Sequence, residues 1–211
     1  MVKQERAART RESLVHAAAE VFAEEGFTAA SIAQISRRAG VTSGALHFHF
    51  EGKTSLALAV EERAARAMRE AAAVNEERDR AGGPLQVLVG STYTMLSLLT
   101  EDIGVRAAFA LCADAGHESR LDLRRQWKLW TEGLLVAAEQ AGLLAEGVSP
   151  QEATDLVVAL TVGLDGLGGF EPGHGARQLL TRIWSVVLPG IANGEAAAAA
   201  LIEAASGKET D

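Results

Sequence analysis

The 211-residue chain is 48% hydrophobic and 23% charged, the balance of a folded protein with a sizeable core. Its one cysteine, Cys112, excludes a disulfide framework and any cysteine-based metal site. The net charge of −8 is uneven: residues 1–53 hold seven Lys/Arg against six Asp/Glu, and the remainder thirteen against twenty-two, so only the first segment suits a polyanion. The opening "MVKQERAART" leads into no apolar run of signal-peptide type, and the most apolar stretch, "ATDLVVALTVGLDGLGGF", is interrupted by Asp165 and by glycines. It reads as a buried helix and the chain as cytoplasmic, with no membrane partner.

The pattern is helical nearly throughout, with abundant alanine and four prolines. From Arg6 onward Leu14, Ala18, Val21 and Phe22 recur at helical spacing until Gly26 stops the run. "TAASIAQISRRAG" predicts a short second helix with Ser31 at or near its cap, Ile32 and Ile35 inward, and Gly40 at its end. Thr42 or Ser43 then caps a third, "SGALHFHF". A long helix is predicted from Lys53 to about Arg80, its stripe being Leu56, Val60, Ala64, Ala67 and Ala71, and "AGGP" breaks it. Further helices follow over Leu85–Leu99, Val105–Ala113 and Leu121–Ala141. Ser149, Pro150 and Glu152 open another, which runs to about Leu167. "GGFEPGHG" reads as a loop, Arg177–Leu188 as the last core helix, and the alanine-rich tail as a further helix that frays.

Two short helices joined by a tight glycine-containing turn give the helix-turn-helix outline. The second helix of such a pair enters the major groove. Leu46 and Phe50, four apart, face inward. Ser43 and His47, also four apart, lie on another face with Gly44 beside them, and are the groove-facing candidates. Lys53, Thr42 and the Ser31 hydroxyl suit phosphates, with Arg37 and Arg38 adding charge nearby. His49 suits a phosphate, a helix cap or a base. The alternation H-F-H-F also admits a strand or a metal site. Residues two apart on a helix point in different directions, however, and only Glu51 stands near as a third ligand. His16, His117 and His174 read as solvated or locally hydrogen-bonded.

"TAASIAQISRRAGVTSGALHFHFEGK" resembles the DNA-binding signature of the tetracycline-repressor (TetR) family, with its glycines, Val41, Leu46, His49, Phe50 and Lys53 at the family's spacings. Within that family the opening "KQERAARTRESLVHAAAEVFAEEGF", the phrase "GALHFHF" and Trp127 followed by "EGLLVAAEQAGLL" are similar to the Streptomyces-type γ-butyrolactone autoregulator receptors. Ser43 stands where that subgroup usually has lysine, and His47 where it has tyrosine. These two positions are therefore expected to set an operator of the chain's own.

The resemblance implies an all-α fold: a three-helix helix-turn-helix domain over residues 1–53, then a larger helical ligand-binding and dimerisation domain over 54–211. It implies a homodimeric, non-enzymatic repressor that binds pseudo-palindromic operator DNA and is released by a lactone- or furan-like inducer, with no cofactor and no metal. On sequence alone Trp127 and Trp130, three apart, read as core more readily than as a ligand box. The resemblance places Trp127 in the pocket, where an indole offers a flat face and an N–H. Thr161 and Tyr93 are further polar candidates. Ala64, where several relatives carry a longer polar side chain, hints at a different ligand shape.

"GLDGLGGFEPGHG" follows a helix and lacks dinucleotide-loop spacing, so it reads as small residues that let two helices pack closely. The resemblance implies that this helix, with Arg177–Leu188, forms a four-helix dimer interface. One rival is a drug-sensing or orphan repressor of the same fold. Another is a helical carrier or enzyme without DNA affinity. The enzyme needs a nucleophile and base in a recognisable setting, and the sequence offers none.

Overall fold

A computed structural model describes residues 2–79, 82–166 and 174–194. Among these the fold is all-α: nine helices, and no strand beyond one isolated antiparallel bridge between Leu144 and Ala192. No described helix is long and apolar enough to cross a membrane. The helices are α1 (Val2–Ala29), α2 (Ile32–Arg38), α3 (Ser43–His49), α4 (Lys53–Asp79), α5 (Gly83–Glu101), α6 (Ile103–Leu111), α7 (Leu123–Gln140), α8 (Pro150–Gly166) and α9 (His174–Ile191). The alanine-rich tail beyond Gly194, and most of the loop expected at "GGFEPGHG", lie outside the described residues.

Packing divides the chain into two compact units, Met1–Ala67 with Asp102–Arg124, and Met68–Glu101 with Arg125–Asp211. The first half of α4 and all of α6 belong with the N-terminal helices, because α6 lies along α1.

In the first unit the inward stripe of α1 (Leu14, Ala18, Val21, Phe22) is buried with Ile35, Leu46, Phe50, Leu56, Val60, Val105 and Phe109. Each short helix is defined by its caps. Ser31 caps α2 and forms a reciprocal capping box with Gln34. Between Thr42 and Ser43, the cap of α3 is Thr42, whose hydroxyl oxygen accepts from the Ala45 N–H at 3.1 Å. The turn between them is a Schellman motif: Gly40 N–H donates to the Arg37 carbonyl (3.1 Å) and Val41 N–H to that of Ser36 (3.0 Å). This holds Gly40 at φ +68°, in the left-handed region.

The second unit packs α5 against α8 and α9. Its core joins Leu88, Val89, Tyr93 and Leu96 to Leu135, Val157, Leu164, Leu180, Trp184 and Leu188. Trp184 is fully buried, and its indole N–H donates to Thr92 Oγ1 at 2.9 Å, tying α9 to α5. Helix α9 outruns its expected end, continuing through Pro189 to Ile191. The carbonyl of Ile191 accepts the Ala145 N–H at 2.8 Å, and Ala192 N–H reaches the Leu188 carbonyl at 2.8 Å, so the last turn stays satisfied.

A Cβ on Gly40 meets no atom within 4 Å, so Gly40→Ala tests backbone conformation alone. It should cost about 1 kcal/mol, read as a lower urea midpoint at unchanged slope.

Candidate nucleic-acid interface and ligand cavity

Helix α3 is held from behind by Leu46 (0% exposed) and by Phe50 at its C-cap, with the Arg11 guanidinium 5.2 Å from the Phe50 ring centroid. Its outward side presents Thr42, Ser43, Gly44, His47 and Phe48, all exposed. Phe48, at 82% exposed, is the residue that the sequence reading passed over. The available signal was its spacing, four residues after Gly44 on the exposed side. His49 is half-buried, its ring edge-on to Phe48 at 5.2 Å, while His47 faces solvent.

The phosphate candidates divide. Lys53 is engaged within the protein: its ammonium donates to the carbonyls of Phe27 (2.6 Å), Thr28 (3.2 Å) and Ala30 (2.9 Å) and lies 4.4 Å from the Phe27 ring centroid. Three N–H groups meet three carbonyls, so the phosphate contact expected of Lys53 has no donor left. Ser31 is similarly occupied, donating to Gln34 Oε1 at 2.6 Å while accepting the Gln34 N–H at 3.3 Å. Arg38 forms a two-pronged pair with Glu24 (3.0 and 2.7 Å) and reaches Glu20 at 3.4 Å. Glu24 in turn holds the guanidinium pKa above its usual value. Arg37 is exposed and has no ion-pair partner among the described residues.

The backbone that Lys53 grips is also held from its other side. Gly26 breaks α1 at φ +78°, ψ 170°. Asp114, beyond α6, then accepts the Phe27 N–H at 2.8 Å, the Gly116 N–H at 2.8 Å and the Thr28 hydroxyl at 3.4 Å. The Gly116 and Phe27 donors hold its carboxyl below the usual carboxylate range. Nearby, the fully buried Glu61 accepts from His117 Nε2 (2.8 Å) and the Arg120 N–H (3.3 Å). His117 is thus a buried partner of α4 rather than a solvated or merely locally bonded histidine. The clue was Glu61 itself, placed between buried Ala57 and Ala65 on the inward face of α4.

In the second unit a cavity of about 150 Å³ is lined by α4, α5 and α7. Trp127 and Trp130 both line it, their rings stacked at 5.5 Å and 23°. Thr161 and Tyr93 do not. Thr161 takes the Trp127 indole N–H at 2.8 Å, so the indole offers the cavity a face and no donor. The Tyr93 hydroxyl pairs with Thr181 Oγ1 at 2.8 Å, tying α5 to α9. The polar lining groups missed from sequence are Arg69, Ser91, Thr94, Gln126 and Asn75, the last 2% exposed, its Nδ2 donating to Thr94 Oγ1 (2.9 Å) and Ser91 Oγ (3.3 Å).

An N-terminal helix-turn-helix with an exposed second helix, followed by a larger helical domain, defines a regulator of the helix-turn-helix class. Residues 14–60 match the model for bacterial regulatory proteins of the tetR family. The chain is 30% identical over 197 residues to the A-factor receptor protein of Streptomyces griseus, covering 92% of this chain and 67% of that one. It is 31% identical over 198 residues to the HTH-type transcriptional repressor BepR of Brucella suis, covering 87% and 94%. A solved gamma-butyrolactone receptor (ArpA-like protein) shares the fold with a TM-score of 0.83 at 25% identity, covering 95% of this chain and 96% of that one. The chain belongs to the TetR family of DNA-binding transcriptional repressors, and its relatives are regulators, not enzymes.

Lys53→Met keeps the aliphatic stem and removes the ammonium. It should lower stability by about 2 kcal/mol, measured by urea unfolding, while leaving the salt slope of DNA binding unchanged. Because the Asp114 pKa is depressed on folding, its contribution is complete above the usual carboxylate range and is lost as pH falls through the folded value. Asp114→Asn should therefore flatten the acid limb of a stability–pH curve and leave its shape near neutrality unaltered.

Proposed function

We propose that the chain is a homodimeric, ligand-responsive repressor. It binds a pseudo-palindromic operator through α3 and leaves it when a small lactone- or furan-like molecule enters the second unit. The observation that carries this reading is the exposed set Ser43, Gly44, His47 and Phe48, on a helix anchored by Leu46 and Phe50. Thr42 and Arg37 at its margin are free to meet phosphates, and His49 at its end supports Phe48. In the groove Ser43 and His47 read base edges, and Phe48 suits a thymine methyl.

The names of two relatives, an A-factor receptor and a gamma-butyrolactone receptor, support a lactone-like inducer. The cavity beside Trp127 and Trp130 gives such a molecule an apolar, flat surface. Homodimerisation through α8 and α9 is supported by apolar side chains left in solvent there, Leu156 at 41% and Val186 at 79% exposed. Two copies then present two α3 helices to half-sites about one helical turn, or a multiple of it, apart. Release requires the ligand to bind the DNA-free form more tightly than the DNA-bound form. Helix α4 is the natural carrier, because its Met68–Asn75 stretch lines the cavity and its first residue, Lys53, grips the end of α1.

A mobility shift on DNA upstream of the gene, with and without lactones, tests the reading. Retarded DNA that ligand releases is the expected result, and no shift at any salt concentration would defeat it. Arg37→Ala should weaken binding to all sequences alike and reduce the salt slope by about 1. His47→Ala should cost about 1–3 kcal/mol at the operator and little on unrelated DNA.

A further inference from the structure

The lining of the cavity is chemically one-sided. Helix α7 supplies the stacked indoles, α4 supplies Ala71, Ala72 and the buried amide of Asn75, and no Asp or Glu among the described residues lines it. The one charged lining residue is Arg69, which is exposed and has no ion-pair partner among the described residues. Arg38, Arg63 and Lys128 each stand in an ion pair, and Lys53 is capped by carbonyls. An exposed guanidinium lining a cavity with no acidic group among the described residues is a local positive site.

A cavity of about 150 Å³ accommodates roughly one aromatic ring. With the Trp127 N–H held by Thr161, that indole offers a face for stacking and no hydrogen bond. The Asn75 amide is likewise engaged, with Ser91 and Thr94, so the charged contact falls to Arg69.

We propose that this cavity selects a single planar ring bearing an acidic group, an aromatic or heteroaromatic carboxylate, with Arg69 as the anion-recognising residue. The proposal rests on the ligand-responsive reading above and puts an anionic ring in place of its neutral lactone-like inducer. The ring stacks on the Trp127–Trp130 pair, and the carboxylate accepts from the Arg69 fork, a two-pronged match of planar groups.

The test titrates the full chain with benzoate, with its neutral isostere benzamide and with non-planar cyclohexanecarboxylate, reading tryptophan fluorescence in the absence of DNA. Benzoate should bind about ten-fold more tightly than benzamide and more tightly than cyclohexanecarboxylate. Arg69→Gln should erase the gap between benzoate and benzamide without changing benzamide affinity, and Arg69→Lys should restore part of it. Equal binding of benzoate and benzamide, a benzoate preference that survives Arg69→Gln, or no response to any ring would each overturn the assignment. Cyclohexanecarboxylate binding as well as benzoate would overturn the planar requirement. A ligand-free mobility shift on the same preparations reports on operator binding alone, so loss of the repressor reading is distinguishable from loss of this one.

Discussion

Five residues of backbone at the end of α1, Gly26 to Ala30, depend on two charged side chains that reach them from elsewhere in the first unit. Lys53 takes their carbonyls and Asp114 takes an N–H and a hydroxyl. Once Gly26 leaves helical geometry these groups have no partners of their own, and burying them unpaired would cost more than most side-chain contacts return. The segment leads directly into Ser31 and α2, so its geometry sets the approach of the helix-turn-helix. The two clamps come from different elements, the start of α4 and the chain after α6, and this makes α6 part of the same packed unit as the DNA-reading helices.

The reading face follows from that anchoring. Burying Leu46 and Phe50 leaves residues 43, 44, 47 and 48 outward on α3, because the helix is only seven residues long and has one inward side. Neighbouring charges are sorted in the same way. Arg38 is tied to Glu24 and Lys53 to carbonyls, while Arg37 remains available to the solvent side. A basic residue near the motif is therefore not thereby a phosphate contact. What separates them is whether the fold already satisfies them.

The second unit handles its buried aromatic donors with one repeated device. Trp184 donates to Thr92, Trp127 to Thr161, and Tyr93 pairs with Thr181, while each threonine hydroxyl donates to a carbonyl of its own helix. This satisfies the aromatic polar tips and orients the rings, so the core closes without orphaned indole or phenol groups. It also removes Trp127, Thr161 and Tyr93 from the set of hydrogen-bonding groups open to a ligand.

The sequence by itself determined the helices, their caps and the motif. Those depend on local spacing, on Ser31 and Thr42 before short apolar runs, and on a glycine where the turn needs positive φ. The inward assignment of Leu46 and Phe50 and the outward one of Ser43 and His47 were legible for the same reason, since helical periodicity is a local property. Tertiary structure alone decided which polar groups were already partnered. The Lys53 carbonyl clamp, the Glu61–His117 pair across 56 residues and the Trp127–Thr161 bond across 34 all join distant parts of the chain. A donor's availability depends on what the fold brings within hydrogen-bond reach, and spacing along the chain carries no record of that.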